Sequence, residues 1–436
     1  MDIRSLSGKS ICILGFGREG QAMLKALEEY APGCRVTIAD KNKELRIMNY
    51  GTQLGEDYLE NLDRFDIIIK SPGIPPSALS TYHLPLTSPT QIFFDSIKNF
   101  GAQVIGVTGS KGKSTTASLI YSILKAHPTP YALPPTPFLV GNIGEPAIAH
   151  IKDAKPGAIF VMEMSSYQLM DLTSSPHIAV VTAFFPEHLD YHGSLEAYKE
   201  AKKHITRFQT KDDLVFFVAN SDGTEEIAQE SPGKRIPFTA KDAPVTIEET
   251  KLIGMHNLNN IAAAFAVSQE FKIPKDIAIA AIKSFTPLPH RLQSLGIIGG
   301  IEWMDDSIST TPESTIAALD ALGDRVATII LGGQDRGYDF SLLAKRLKNS
   351  KVRNIILLPD SGKTIGKALK NEGVTAQCVE VATMEEAVNL AKKANRLPLI
   401  ANRSPVVLLS PASPSYGHFK NFEERGDRFK AAIDNL

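Results

Sequence analysis

The segment Gly106 to Thr116, GVTGSKGKSTT, gathers the residue types that hold nucleotide phosphates. Gly109, Ser110 and Gly112 form a loop whose successive backbone N–H groups can point at phosphate oxygens. Lys113 adds a point charge, and Ser114 or Thr115 can ligate Mg²⁺. The spacing departs from G-x-x-x-x-G-K-[ST], because the position five before Gly112 is Val107 and the glycine lies one residue earlier, at Gly106. A structural turn needs glycines but not Gly-Lys-Ser-Thr-Thr together, so phosphate binding is the expectation.

Three further positions could serve such a loop. Glu163 lies near the end of the apolar run AIFVMEM, where ligands of an open α/β sheet gather, and could hold a metal that bridges nucleotide oxygens. Without the loop it would be a strand-edge charge. HLDYH, His188 to His192, spaces two imidazoles four apart, yet it lacks the glutamate of H-E-x-x-H and has no evident third zinc ligand. A polar loop carrying one magnesium-ligating histidine is expected there. In SLEAYKEAKKHITRF, Leu195, Tyr198, Lys202 and Ile205 follow a three, four, three spacing along one apolar helix face, and Lys199 and Lys203 fall off it. An inward lysine is desolvated, which favours the neutral amine and opens carbon dioxide capture as a carbamate. On these residues alone, the expectation is that Lys202 snorkels to solvent instead.

A second glycine cluster, Gly15-Phe16-Gly17-Arg18-Glu19-Gly20, follows a strand and precedes a helix, with Asp40 at the end of the next strand. That is the layout of a dinucleotide fingerprint, in which a pyrophosphate sits at a helix N-terminus. It is equally the layout of a tight strand-to-helix turn, and it does not establish a nicotinamide cofactor.

These residues need elements to carry them. SICILG, RVTIAD and FDIIIKSPGIP alternate with the helix around GQAMLKALEEYA. AQVIGVTGS, AIFVMEMSS, HIAVVTAFF and DDLVFFVAN make a second series, ending in the helix MHNLNNIAAAFAVSQEF and the Pro-marked FTPLPHRLQ. RVATIILGG, VRNIILLPD, TAQCVEVA, the helix MEEAVNLAKKAN and PVVLLSP make a third. Such alternation predicts α/β architecture with parallel sheets. PTPYALPPTPFLV reads as a Pro-rich loop. At 436 residues the chain exceeds one ordinary core. Its 47 basic and 48 acidic residues give no overall pull toward nucleic acid or membrane surface. Three cysteines without ligand spacing suit a reducing compartment, and no run approaches a membrane span, so a cytoplasmic protein is expected.

Taken in order, GFGREG, SPGIP, GVTGSKGKSTT, GNIG, EMSSYQL, HLDYHGSLEAYKEAK, GMHNLNN, LPHR, DDSISTT, LGGQDRGYDF and LLSPASPSYGHFKNFEERGDRF resemble the ATP-dependent Mur ligases of peptidoglycan synthesis, specifically the MurD type. That family's loop, T-G-[TS]-x-G-K-[ST], accounts for the displaced glycine. The resemblance implies three domains: a Rossmann-like UDP-sugar-nucleotide domain over 1–100, a central P-loop ATPase-like domain with a mostly parallel sheet over 101–286, and a Rossmann-like amino-acid domain over 287–436. Gly15, Phe16, Gly17 and Arg18 would lie near the UDP phosphates, Asp40 and Lys41 near uracil, Ser71 and Gly73 at the rim, and Asn142 by the pyrophosphate or sugar. Lys113 and Ser114 would bind ATP, with Mg²⁺ (two ions) on Ser114, Glu163, His188 and a carbamylated Lys202. Asn257 and Asn260 would flank adenine, Arg291 the γ-phosphate and Asp306 the ribose. Thr310, Arg336, Ser415 and Phe422 match the amino-acid pocket. The implied partners are UDP-N-acetylmuramoyl-L-alanine and glutamate, acting on a monomer. Two departures, Ile308 where many members have lysine and Pro414 in the C-terminal loop, leave D- and L-glutamate both open. Rival readings are an oxidoreductase built on the first glycine cluster and a non-catalytic nucleotide-binding regulatory protein.

Overall fold

The computed structural model describes residues 1–79, 85–127, 136–395 and 404–436. Among them the strands form three sheets in chain order. The first contains β1 (Ser10–Leu14), β2 (Arg35–Asp40), β3 (Gly51–Leu54), β4 (Ile67–Lys70) and β5 (Leu86–Thr87), in the order β3-β2-β1-β4-β5. Every pairing in it is parallel. The second contains β6 (Gln103–Thr108), β7 (Thr136–Gly141), β8 (Ala158–Glu163), β9 (Ile178–Val181), β10 (Leu214–Val218) and β11 (Lys234–Phe238), ordered β11-β10-β9-β6-β8-β7 and again parallel. The third contains β12 (Gln293–Ile298), β13 (Ile301–Asp305), β14 (Val326–Gly333), β15 (Asn354–Asp360), β16 (Gln377–Glu380) and β17 (Val406–Leu409), ordered β12-β13-β17-β14-β15-β16. Only its edge strand β12 runs antiparallel.

The chain divides into two compact units, Met1–Thr250 with His256–Phe285, and Lys251–Met255 with Thr286–Leu436. The first two sheets belong to the first unit, where one apolar cluster runs from Ile11, Ile13 and Ile69 to Val104, Phe160 and Val181. Central strands covered on both faces read as continuous apolar runs, which is why β8 and β9 are buried throughout. In the second unit successive residues of a strand face opposite layers: Ile329 and Leu331 join the helices Pro312–Leu322 and Ser341–Lys348, whereas Ile330 joins Met384–Ala394 and Phe422–Asp434.

Three local expectations need correction. The Pro-rich stretch lies outside the described residues up to 135, but from Thr136 it is strand β7, paired along its length with β8. As an edge strand it tolerates Pro137, whose missing N–H costs no inner ladder bond. HLDYH is not a plain loop. Leu189–His192 forms one helical turn, entered through His188 at φ 57° and ended by Gly193 at φ 78°. On the helix Leu195–Arg207, Tyr198, Lys202 and Ile205 are buried, but Leu195, the first residue after the Ser194 cap, is exposed. No helix among the described residues is long and apolar enough to cross a membrane.

Candidate active site

Parallel pairing brings Val107 opposite Glu163 and Thr108 opposite Val181, so the phosphate loop leaves β6 between the C-terminal ends of β8 and β9. Gly106 is a strand residue, not a loop residue. A Cβ there would meet Pro176 Cγ at 2.6 Å and Met164 Sδ at 2.9 Å, so its glycine serves packing. The loop turns at Gly109, φ 148°, where a Cβ would lie 2.2 Å from Thr182 Oγ1, and at Gly112, φ 87°, where it would lie 2.4 Å from Asn260 Oδ1. Thr182 Oγ1 also approaches Lys111 O at 2.6 Å and Thr108 O at 3.1 Å, so this threonine fixes the loop from the side. Lys113, Ser114 and Thr115 open the helix Lys113–Ala126, at whose N-terminus anions are favoured.

Lys202 is buried, so it does not snorkel. Its Nζ donates to Gly109 O at 2.9 Å and lies 4.7 Å from the centre of the Tyr198 ring. Lys113 Nζ donates to the same carbonyl at 2.9 Å and to Ser110 O at 3.0 Å. Burial holds the Lys202 ammonium well below its ordinary pKa, and the charge of Lys113 adds to the effect. Tyr198 Oη is 3.0 Å from Ser110 Oγ, linking the helix of Lys202 to the loop. Glu163 is buried too. Its Oε1 accepts from Asn142 Nδ2 at 3.1 Å, while Oε2 has no hydrogen-bond partner among the described residues. A hard, unpartnered carboxylate oxygen at the end of β8 fits a magnesium ligand. Asn142 therefore faces Glu163. The His188 ring packs 5.0 Å from Tyr167 and 6.1 Å from Tyr198. Asn260 Nδ2 donates to Asn257 Oδ1 at 2.8 Å, and Asn260 Oδ1 accepts from Thr116 Oγ1 at 3.2 Å, so this pair stands against the loop.

At the first glycine cluster, Gly15 turns at φ 89° and its carbonyl accepts from Ser71 Oγ at 2.7 Å. Phe16 N donates to Asp40 Oδ2 at 2.6 Å, so Asp40 shapes the loop itself. Gly17 precedes the helix Arg18–Tyr30, and Arg18 donates to the carbonyl of Gly144, the last residue of the GNIG segment. Lys41 and Gly73 are exposed, Gly73 two residues beyond Ser71.

Arg291, Asp306, Thr310, Arg336, Ser415 and Phe422 belong to the second unit. Asp306 is buried and its carboxylate accepts from Leu292 N at 3.1 Å, Ser309 Oγ at 2.5 Å and Ser410 Oγ at 2.8 Å. Burial nevertheless pushes its pKa up to about 6. Arg336 is exposed, with Nε donating to Gln334 and its guanidinium 5.8 Å from the Tyr416 ring centre. The buried Arg425, which nothing in a charged helical segment singles out, donates to Ser307 Oγ at 3.0 Å, Ser307 O at 2.8 Å and Ser413 O at 2.9 Å. Ser307 Oγ in turn donates to Phe422 O at 2.8 Å. Arg425 thus ties the segments holding Thr310, Ser415 and Phe422. Thr182 and Arg425, and the contact of Tyr198 with Ser110, are not legible in the sequence because they arise from long-range contact, which no local spacing records.

Residues 107–242 match the Mur ligase middle domain and 290–412 the Mur ligase glutamate ligase domain. The UDP-N-acetylmuramoylalanine–D-glutamate ligase of Acetivibrio thermocellus is 32% identical, over 99% of this chain and 98% of its own. The UDP-N-acetylmuramoyl-L-alanine–L-glutamate ligase of Salinispora tropica is also 32% identical, over 99% of both. In fold the chain is similar to the Thermotoga maritima UDP-N-acetylmuramate-alanine ligase MurC, with TM-score 0.62 and 19% identity over 98% of this chain and 99% of that one. It is likewise similar to T. maritima MurF in complex with ADP, with TM-score 0.62 and 16% identity over 100% and 97%. With both domain models matched and that identity sustained along its length, the chain belongs to the Mur ligase family of ATP-dependent, amide-bond-forming ligases.

Proposed function

We propose that the protein joins glutamate, D-glutamate in preference to L-glutamate, to UDP-N-acetylmuramoyl-L-alanine, through an acyl phosphate and as a cytoplasmic monomer. The observation that carries this reading is the convergence of Lys113 and Lys202 on the Gly109 carbonyl, within a loop flanked by the unpartnered Glu163 oxygen. Domains over 1–100, 101–286 and 287–436 would take the nucleotide sugar, ATP and the amino acid.

The loop N–H groups around Gly109 to Gly112 and the Lys113 ammonium would cradle the ATP phosphates. Lys113 would exchange its two carbonyl contacts for phosphate oxygens. Ser114, Glu163, His188 and Lys202, the last as a carbamate, would hold magnesium, which neutralises charge on the transferring phosphoryl group. Carbamylation would turn the buried amine from a disfavoured cation into an anion. Asn257 and Asn260 would flank adenine, with Arg291 and Asp306 toward the γ-phosphate and ribose. Gly15, Phe16, Gly17, Arg18, Asp40, Lys41, Ser71, Gly73 and Asn142 would hold the nucleotide sugar so that its lactyl-alanine carboxylate attacks the γ-phosphorus in line. The amino group of glutamate, placed by Thr310, Arg336, Ser415 and Phe422, would then attack the acyl carbonyl and release phosphate. Arg336 is exposed and fork-shaped, which suits a carboxylate.

Phosphate release measured with ATP, UDP-N-acetylmuramoyl-L-alanine and either glutamate enantiomer tests the reading. Release should require all three substrates and be faster with D-glutamate, and an absence of glutamate dependence would remove it. L-glutamate remains a second reading, supported by Ile308 and by the equally similar Salinispora relative.

A further inference from the structure

HLDYH contains more than the histidine used above. Tyr191, in the turn that His188 begins, directs its hydroxyl at two backbone carbonyls of the first sheet's rim, Pro72 O at 2.8 Å and Ile74 O at 3.0 Å. Its ring packs on Tyr167 at 4.2 Å, and Tyr167 also touches the His188 ring. The carbonyl of Ile74 accepts in addition from Lys70 Nζ at 3.2 Å, and Lys70, itself buried, pairs with Asp171 at 2.7 Å. One residue before Pro72, Ser71 donates to the Gly15 carbonyl of the first glycine turn. A continuous series of contacts therefore runs from Gly15 through Ser71 and the 72–74 backbone to Tyr191 and the turn of His188, all within one compact unit.

We infer that Tyr191 is a positioning residue that sets the distance between the nucleotide-sugar pocket and the metal-binding His188 turn. The inference rests on the function proposed above. Without the hydroxyl, the 71–75 rim and the 188–192 turn keep their separate folds but lose their common register. A misplacement of an ångström between substrate carboxylate and phosphate is enough to slow transfer markedly.

Tyr191→Phe keeps the ring on Tyr167 and removes the single hydroxyl proton that the two carbonyls share. Calorimetry with UDP-N-acetylmuramoyl-L-alanine in metal-free buffer should show about three- to ten-fold weaker binding, as expected for one lost hydrogen bond. The Mg²⁺ concentration that half-saturates ADP binding should rise, while the KM for glutamate stays within two-fold. Asp171→Asn, which loosens the other grip on Ile74, should shift the same two quantities by less. If both affinities match wild type in Tyr191→Phe, the hydroxyl positions nothing. If all three ligands weaken together with a lowered Tm, Tyr191 is structural only, and the inference again fails. A wild-type protein that binds the nucleotide sugar without glutamate-dependent turnover would overturn the proposed function but leave this binding test readable.

Discussion

Lys202 and Glu163 in the first unit, and Asp306 and Arg425 in the second, are all withdrawn from water but partnered very differently. Lys202 has a carbonyl at 2.9 Å and a threonine hydroxyl at 3.4 Å, and Glu163 keeps one oxygen with no partner among the described residues. Asp306 accepts three hydrogen bonds, and Arg425 donates three to the 307 and 413 segments. A buried charge left short of partners costs stability, and a fold retains that cost most readily where a ligand supplies the missing interactions. A buried charge bonded to backbone and hydroxyl groups of several segments fixes geometry instead. The first unit leaves its buried charges short of partners, and the second ties its own into the surrounding segments.

The sharpest way to break this contrast is Lys202→Ala. Activity should fall at least about a thousand-fold, or about 4 kcal/mol of transition-state stabilisation, with small carboxylates restoring part of it. The Tm of the first unit should not fall with it, because the variant discards a disfavoured buried cation. Unchanged activity would dismiss the carbamate. Arg425→Met should do the reverse. Removing the guanidinium strips donors from Ser307 and Ser413 and leaves the nearby Asp305 and Asp306 charges less compensated, a loss of about 3 kcal/mol in the second unit. Denaturant unfolding followed by the fluorescence of Trp303, the one tryptophan and a buried residue of that unit, reads it directly. A loss under about 1 kcal/mol would mean that the hub is dispensable. Glu163→Gln preserves the oxygen that accepts from Asn142 but not the charge, so turnover should drop about a hundred-fold, equivalent to about 2.7 kcal/mol, with an unfolding midpoint close to wild type. A matching loss of stability would make Glu163 structural.

Much of the first unit's site is legible in the sequence because it is local. The phase of Tyr198, Lys202 and Ile205 puts the lysine on the apolar helix face, although phase alone does not separate burial from snorkelling, and Gly-Lys-Ser-Thr-Thr after an apolar strand gives the loop. What stayed hidden depends on register. Gly106 looked like a misplaced loop glycine because Pro176 and Met164, which crowd it, lie far along the chain. Asn142 faces Glu163 because β7 pairs with β8, and β7 was masked by prolines that only an edge strand admits. The second unit's hub is less legible still. Arg425 sits among Glu423, Glu424, Asp427 and Arg428, and helical periodicity alone does not separate a buried arginine from a solvated charged face.

The smallest effect concerns what full bonding leaves unpaid at Asp306. Its three hydrogen bonds lower its pKa but do not cancel burial, which holds the carboxyl at about 6 against an ordinary value near 3.9. The folded state then binds the proton more tightly than the unfolded one, so this group's contribution is fully present below about pH 3.9 and is lost as pH rises through about 6. Asp306→Asn cannot titrate. Its amide oxygen can still accept from Leu292 N, and the Ser309 and Ser410 hydroxyls can rotate to accept from its amide nitrogen. Relative to wild type, the variant should therefore gain about 1–2 kcal/mol in the second unit between pH 4.5 and 7.5. His290, raised by its hydrogen bond to Asp305, titrates in the same direction but is common to both proteins and cancels in the difference. Trp303-monitored unfolding curves that stay parallel across this range would mean that the serine and backbone donors compensate the buried carboxylate in full, making Asp306 as well settled as the rest of the hub.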